Sequence, residues 1–137
     1  MHESCAYYPV KKVAFIAGNG TIAIMSNIRP IRQNEVDLIH FLLARLNLDP
    51  ANFPISEMVD EYEGGKMGSI SLGGDVSGYD GDLIQVEYID SDATPVVITL
   101  TKDTNNQLLD LDFWKTDFSK LLVYPTPDKL IFGKSQA

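Results

Sequence analysis

Two aspartate pairs are the first residues whose type and spacing could do chemistry: Asp90 with Asp92, and Asp110 with Asp112. On a strand, residues two apart share a face at about 7 Å, so either pair could hold a divalent ion or divide acid and base duties. Simpler readings exist for both. Asp90-Ser91-Asp92 falls on a turn, where aspartate bonds the backbone, and Asp110 and Asp112 fit the solvent face of an amphipathic strand. Asp75, Asp80 and Asp82 lie among glycines but lack the spacing of a calcium-binding EF loop. Gly64-Gly65-Lys66 and Gly73-Gly74 resemble phosphate loops only in part. A P-loop needs G-x-x-x-x-G-K-[ST] between a strand and a helix, whereas Met67 follows Lys66 and the next element reads as a strand. Nucleophilic catalysis needs a Cys or Ser beside a base. The one cysteine, Cys5, and one of the two histidines, His2, lie at the start of the chain, and His40 falls just off the apolar stripe of a helix. No nucleophile–base pair emerges. The expectation is a protein that is not an enzyme and needs no metal or cofactor. The alternatives are a small enzyme or metal-binding protein using the Asp pairs, and a housekeeping domain.

The elements that must position these residues are legible from periodicity. Arg29-Pro30 is an extended lead-in, because the residue before proline avoids the helical region. Leu38, Ile39, Leu42 and Leu46 recur at helical spacing and predict a helix from about Gln33 to Leu46. Val36, Phe41 and Leu43 widen its stripe. Glu35 and Asp37 sit in the first turn and Arg45 in the last, each with the sign the helix dipole favours, and Asp49-Pro50 closes the helix. From residue 55 the period becomes two. Met58–Tyr62 and Met67–Leu72 predict a hairpin around Glu63-Gly64-Gly65-Lys66. Strands are then expected at Leu83–Asp90, Val96–Lys102 and Gln107–Trp114, joined by turns at 91–94 and 103–106. A single helical turn is expected at 117–122 and a short edge strand at Leu130–Phe132. The pattern is an α+β fold in two layers, with one main N-terminal helix packed on an antiparallel meander sheet. Alternation turns Ile84, Val86, Tyr88, Val96, Ile98, Leu100, Leu109, Leu111 and Phe113 inward. Gln85, Glu87, Val97, Thr99, Thr101, Asp110, Asp112 and Trp114 then share the outer face.

The chain has 137 residues, which suits one domain, expected over 25–137. Residues 1–24 read either as an N-terminal hairpin or as an extraneous extension. Asn19-Gly20 between the apolar runs Val13–Ala17 and Thr21–Met25 is a strong hairpin signal, while Met25 opens Met-Ser-Asn-Ile-Arg-Pro like a natural beginning. Residues 13–17 are too short an apolar stretch for a signal peptide, and no run approaches a membrane span. The cytoplasm is the expected compartment.

Nineteen acids against eleven bases give a net charge of −8. That balance argues against nucleic acid and membrane surfaces, which reward clustered Lys and Arg. Between Glu57 and Asp92 stand ten acids and one base, Lys66. A segregated acidic region steers a basic partner. The expected contact residues are Asp60, Glu61, Glu63, Glu87, Asp110 and Asp112, with Trp114 as the anchor, since interfaces concentrate energy in Trp, Tyr and Arg.

Three stretches carry a resemblance. They are Ile28-Arg29-Pro30 with Glu35 to Ile39 and Leu42-Leu43, then Gly64-Gly65-Lys66-Met67-Gly68-Ser69, then Leu108 to Ser119, whose Trp114-Lys115-Thr116-Asp117-Phe118-Ser119 is the most specific. Together they resemble a small bacterial family of uncharacterised activity, over Met25 to about Leu122. In kind, the chain is also similar to the immunity proteins of bacterial toxin systems, contact-dependent growth inhibition and toxin–antitoxin pairs among them. That likeness implies an acidic binding protein that neutralises a basic toxin nuclease by covering it.

Overall fold

The computed structural model describes two N-terminal strands, β1 (Ala14–Ile16) and β2 (Ile22–Ile24), and residues 27–133. β1 and β2 pair antiparallel as a two-stranded sheet of their own. The Gly18-Asn19-Gly20 turn expected between them lies outside the described residues.

The helix α1 (Gln33–Arg45) begins after Pro30, which opens the chain into an extended Arg32 at the N-cap. Glu35 sits three residues on, and its carboxylate accepts the Arg32 amide at 2.8 Å, satisfying one N–H of the first turn. Leu38, Ile39, Leu42 and Leu43 form the fully buried stripe, and His40 is exposed. The stop differs from the expected Asp49-Pro50. Asn47 takes a left-handed φ of 60°, its amide bonds the Ala44 carbonyl, and the Leu48 amide bonds that of Leu43. This is a Schellman closure, with Asn filling the place usually held by Gly. Asp49 instead caps a short 3-10 turn at Pro50–Asn52.

The helix packs on a six-stranded antiparallel sheet, so the fold is α+β in two layers. Its strands are β3 (Ile28–Pro30), β4 (Met58–Glu61), β5 (Ile70–Ser71), β6 (Tyr79–Ile89), β7 (Pro95–Asp103) and β8 (Leu108–Lys115). Spatial order is β3-β4-β5-β8-β7-β6. The sheet is therefore two three-stranded meanders, joined where Ile70 lies opposite Leu111 and Ser71 opposite Asp110. The stretch expected only as an extended lead-in is the edge strand β3. The expected Met58–Tyr62 hairpin is present in reduced form, with Asp60 opposite Ser71.

Ile84, Val86, Tyr88, Val96, Ile98, Leu100, Leu111 and Phe113 all face the helix in one core. Leu109 does not. The register of β7 and β8 slips between Leu100 and Lys102, where an extra residue of β8 is accommodated. The bulge places Leu108 in the core cluster, while Leu109 is buried outside it. Gly74 passes so close that a Cβ there would stand 2.8 Å from the Leu108 carbonyl and 2.9 Å from the Leu109 side chain, so only glycine fits.

After β8 the chain runs to Gly133 as an irregular strap. The helical turn expected at 117–122 is absent. Asp117 accepts from both the amide and the hydroxyl of Ser119, and Phe118 adopts a left-handed φ of 63°. The strap is pinned along its length. Tyr88 donates its hydroxyl to the Val123 carbonyl, Tyr124 packs on Phe113, and Phe132 sits against Phe41 with the Arg45 guanidinium 4.1 Å from its ring centre. The expected edge strand at Leu130–Phe132 is a single antiparallel bridge between Ile131 and Glu87. Among the described residues, no helix is long and apolar enough to cross a membrane.

Candidate functional site

The seven residues expected to meet a partner fall into three groups. Glu87 and Trp114 are exposed and lie in one cross-strand row of the outer face, Glu87–Val97–Trp114. Asp112 is half-buried in the next row, Gln85–Thr99–Asp112, and accepts the Ser69 hydroxyl at 3.1 Å. Glu63 is exposed in the β4–β5 turn at a left-handed φ of 55°. Glu63, Glu87 and Trp114 remain exposed, while Asp112 is half-buried and hydrogen-bonded.

Asp60 and Asp110 are not exposed, which corrects the expectation of a continuous acidic face. Asp110 is 1% exposed and accepts the Tyr62 hydroxyl at 2.7 Å. Asp60, on β4 two strands away, is 7% exposed and takes the Asn27 amide. The reason is topological. β8 is an interior strand, with β5 and β4 beyond it, and that order brings Tyr62, which directly follows β4, onto Asp110. Glu61 is committed to cations. It accepts Arg29 Nε and lies 3.7 Å from Arg32.

The acidic run is also less one-sided than its sequence. Four of its acids pair with bases from outside the run: Glu61 with Arg29 and Arg32, Asp80 with Lys102, and Asp90 and Asp92 with Lys115. The net field is correspondingly weaker than the local sequence charge suggests.

Lys115 is the most unexpected of these residues. It continues the inward parity of Leu111 and Phe113, opposite Val96, and its side chain is 1% exposed. Its ammonium has three donors. They meet Asp90 at 2.9 Å, Asp92 at 2.8 Å and the Lys120 carbonyl at 2.9 Å. Asp90 in turn accepts the amides of Ser91, Leu122 and Val123. Burial acts to raise the Asp90 carboxyl pKa. Bonds from Leu122, Lys115, Ser91 and Val123 outweigh it and hold the group below the usual carboxylate range. For Lys115 burial acts downward, and the bonds to Asp92 and Asp90 reverse it, leaving the ammonium above its ordinary value. The Asp90–Asp92 pair thus clamps a lysine and the start of the strap. Among the described residues no group of three or more His, Cys, Asp or Glu side chains is placed to hold a metal.

Beyond the clamp stands the most exposed aromatic feature. Trp114 is 46% exposed and Phe118 63%, with ring centres 6.3 Å apart. Ile89, exposed at the end of β6, shares the outer face with Glu87. Trp114 and Phe118 make an exposed aromatic pair, with Glu87 in the cross-strand row of Trp114 and Asp112 two residues before it on β8. Phe118 holds its place through a left-handed backbone that is rare for a bulky residue.

A protein family described as a domain of unknown function, DUF6984, matches residues 28–125. The chain belongs to that family. Its matched region runs from β3 to Pro125 in the strap and contains the clamp, the aromatic pair and the Arg29 cluster. No curated protein and no solved structure matches the chain significantly.

Sequence reasoning overlooked Arg29, Glu35, Lys115 and Tyr124. A Glu three residues after the N-cap was a readable signal for Glu35. Nothing local marked Lys115, since lysine is almost never fully buried without partners and both of its acids lie more than twenty residues away.

Proposed function

We propose that the chain is a cytoplasmic binding protein, without enzymatic activity, that caps and neutralises a basic protein partner through the Trp114–Phe118 patch. The immunity protein of a bacterial toxin nuclease is the role that fits best. The observation that carries the reading is the exposed aromatic pair Trp114 and Phe118, with Glu87 in the cross-strand row of Trp114. Large exposed aromatics on an acidic chain suit a partner rich in Lys and Arg, because carboxylates steer the encounter while the rings anchor the complex. The net charge of −8 supports the same partner chemistry and disfavours nucleic acid. Asp60, Glu61 and Asp110 take no part in this version, being buried or ion-paired.

The test is capture of a partner by the full chain, followed by association kinetics at two salt concentrations. The expected partner is basic, and its on-rate falls as salt rises. Glu87→Lys lowers the on-rate. Trp114→Ala speeds dissociation by about thirtyfold, corresponding to ~2 kcal/mol for a hot-spot anchor. A partner whose on-rate ignores salt and whose off-rate ignores Trp114→Ala overturns the reading. Expression of the chain protecting cells from the partner's nuclease activity decides the immunity role.

A further inference from the structure

A second site lies at the start of α1, away from the aromatic patch. A half-open cavity of about 160 Å³ opens between the helix N-terminus, β4, the 65–70 stretch and the strap. A single water needs only ~10–15 Å³, so there is room for a small molecule. Its floor is apolar at Ile70 and Leu121. Gly68, with a φ of 98°, keeps that floor open, because a Cβ there would stand 3.2 Å from Leu121 and 3.6 Å from Phe113.

The polar groups divide sharply into spent and unspent. Arg29 closes its fork on Glu35 at 3.0 and 2.6 Å and gives Nε to Glu61. Glu35 is 1% exposed, and its Oε1 also takes the Arg32 amide. Those three side chains satisfy one another and serve as a wall. Two donors are left. The Arg32 guanidinium is 62% exposed, and its ion pair to Glu61 is a long 3.7 Å. The Tyr124 hydroxyl is buried and has no hydrogen-bond partner among the described residues. Burial raises its pKa well above the ordinary phenol value, so it stays protonated and able to donate. A buried hydroxyl left unpaired carries a free-energy penalty, and an acceptor arriving from the cavity would remove it. An arginine paired with a hydroxyl donor matches the two oxygens of a carboxylate. The carboxylates of Glu35 and Glu61 in the same wall disfavour a doubly charged anion.

We propose that this cavity binds a small monocarboxylate, held between the Arg32 guanidinium and the Tyr124 hydroxyl, with a short apolar tail on Ile70 and Leu121. The experiment is thermal melting and calorimetric titration of the full chain with acetate, propionate and butyrate. Chloride and inorganic phosphate at matched ionic strength are the controls. Propionate or butyrate is expected to raise the melting temperature saturably, and the controls are not. Tyr124→Phe is expected to leave the unliganded melting temperature unchanged or raised, since it deletes an unpaired buried group, and to weaken carboxylate binding at least tenfold. Arg32→Gln, at an exposed position, should weaken it similarly. No saturable shift with any carboxylate overturns the proposal. So does binding of phosphate alone, or carboxylate binding that survives both substitutions. A Tyr124→Phe protein that melts lower, with no carboxylate response in the parent, assigns the hydroxyl to packing and a trapped water, and also overturns it. Kinetics at the Trp114 patch are unaffected by either result, so the two readings stand or fall separately.

Discussion

Asp90 and Asp92 are two residues apart, and so are Asp110 and Asp112, yet the two pairs end in opposite circumstances. The first pair closes the β6–β7 hairpin, where both carboxylates converge on the Lys115 ammonium. The second pair runs along one face of β8, and its members part company. Asp110 is buried against Tyr62, and Asp112 is half-buried beside Ser69. Identical spacing produced a cation clamp in one place and two separate hydrogen-bond acceptors in the other. What decides between them is the residue the fold brings opposite. Lys115 arrives from β8, twenty-five and twenty-three positions from its two partners, and Tyr62 arrives forty-eight positions from Asp110.

The contrast can be sharpened by removing one acid at a time. Asp90→Ala should be the most damaging change, about 3–5 kcal/mol, because it strands a buried ammonium without its buried counter-ion. Urea melting measures it, and a cost below that of Asp110→Ala would break the comparison. Asp110→Ala should cost ~1–3 kcal/mol by removing the buried acceptor of the Tyr62 hydroxyl. Adding Tyr62→Phe should recover part of that loss, as a double-mutant cycle would show.

The pH dependence separates the pairs next. The Asp90 carboxyl is held below its unfolded value, so its contribution is present above about pH 4 and lost as pH falls through the folded pKa. Lys115 is raised, so its contribution is present below about pH 10.4 and lost as pH climbs through the folded value. As pH is lowered from about 5 to about 2, stability should fall steeply in the parent and less steeply in Asp90→Asn. The smallest effect concerns metals. The melting midpoint should be the same with chelator, calcium or magnesium, because Asp90 and Asp92 already hold a cation of the protein's own. A shift of several degrees would return the pair to metal chemistry.

The parts of this molecule readable in its sequence are those fixed by near neighbours. The α1 stripe of Leu38, Ile39 and Leu42 follows from spacing alone, and the alternation of β6 and β7 predicted which of their residues face the core. The unreadable parts depend on distant pairing. Nothing in residues 70–71 says they will join β8 and not β6. That one join puts β8 in the interior and sets Asp110, which reads as a surface acid, within reach of the Tyr62 hydroxyl. Leu109 went astray for a related reason, because one extra residue in a bulge shifts every position before it. Trp114 was legible as an exposed aromatic at the end of the acidic strand. Phe118 beside it was not, since a left-handed phenylalanine contradicts its local preference.

The join between β5 and β8 also bears on how the chain comes into being. Synthesis proceeds from the N-terminus at about 5–20 residues per second. The helix and the first three strands of the main sheet are complete by Ser71, but the strand that unites them with the other half ends only at Lys115. For several seconds a nascent chain carries a finished leucine stripe with half of its cover still unmade. The pairing that unites the two halves is therefore made late, and until then the N-terminal half carries apolar surface without its full cover.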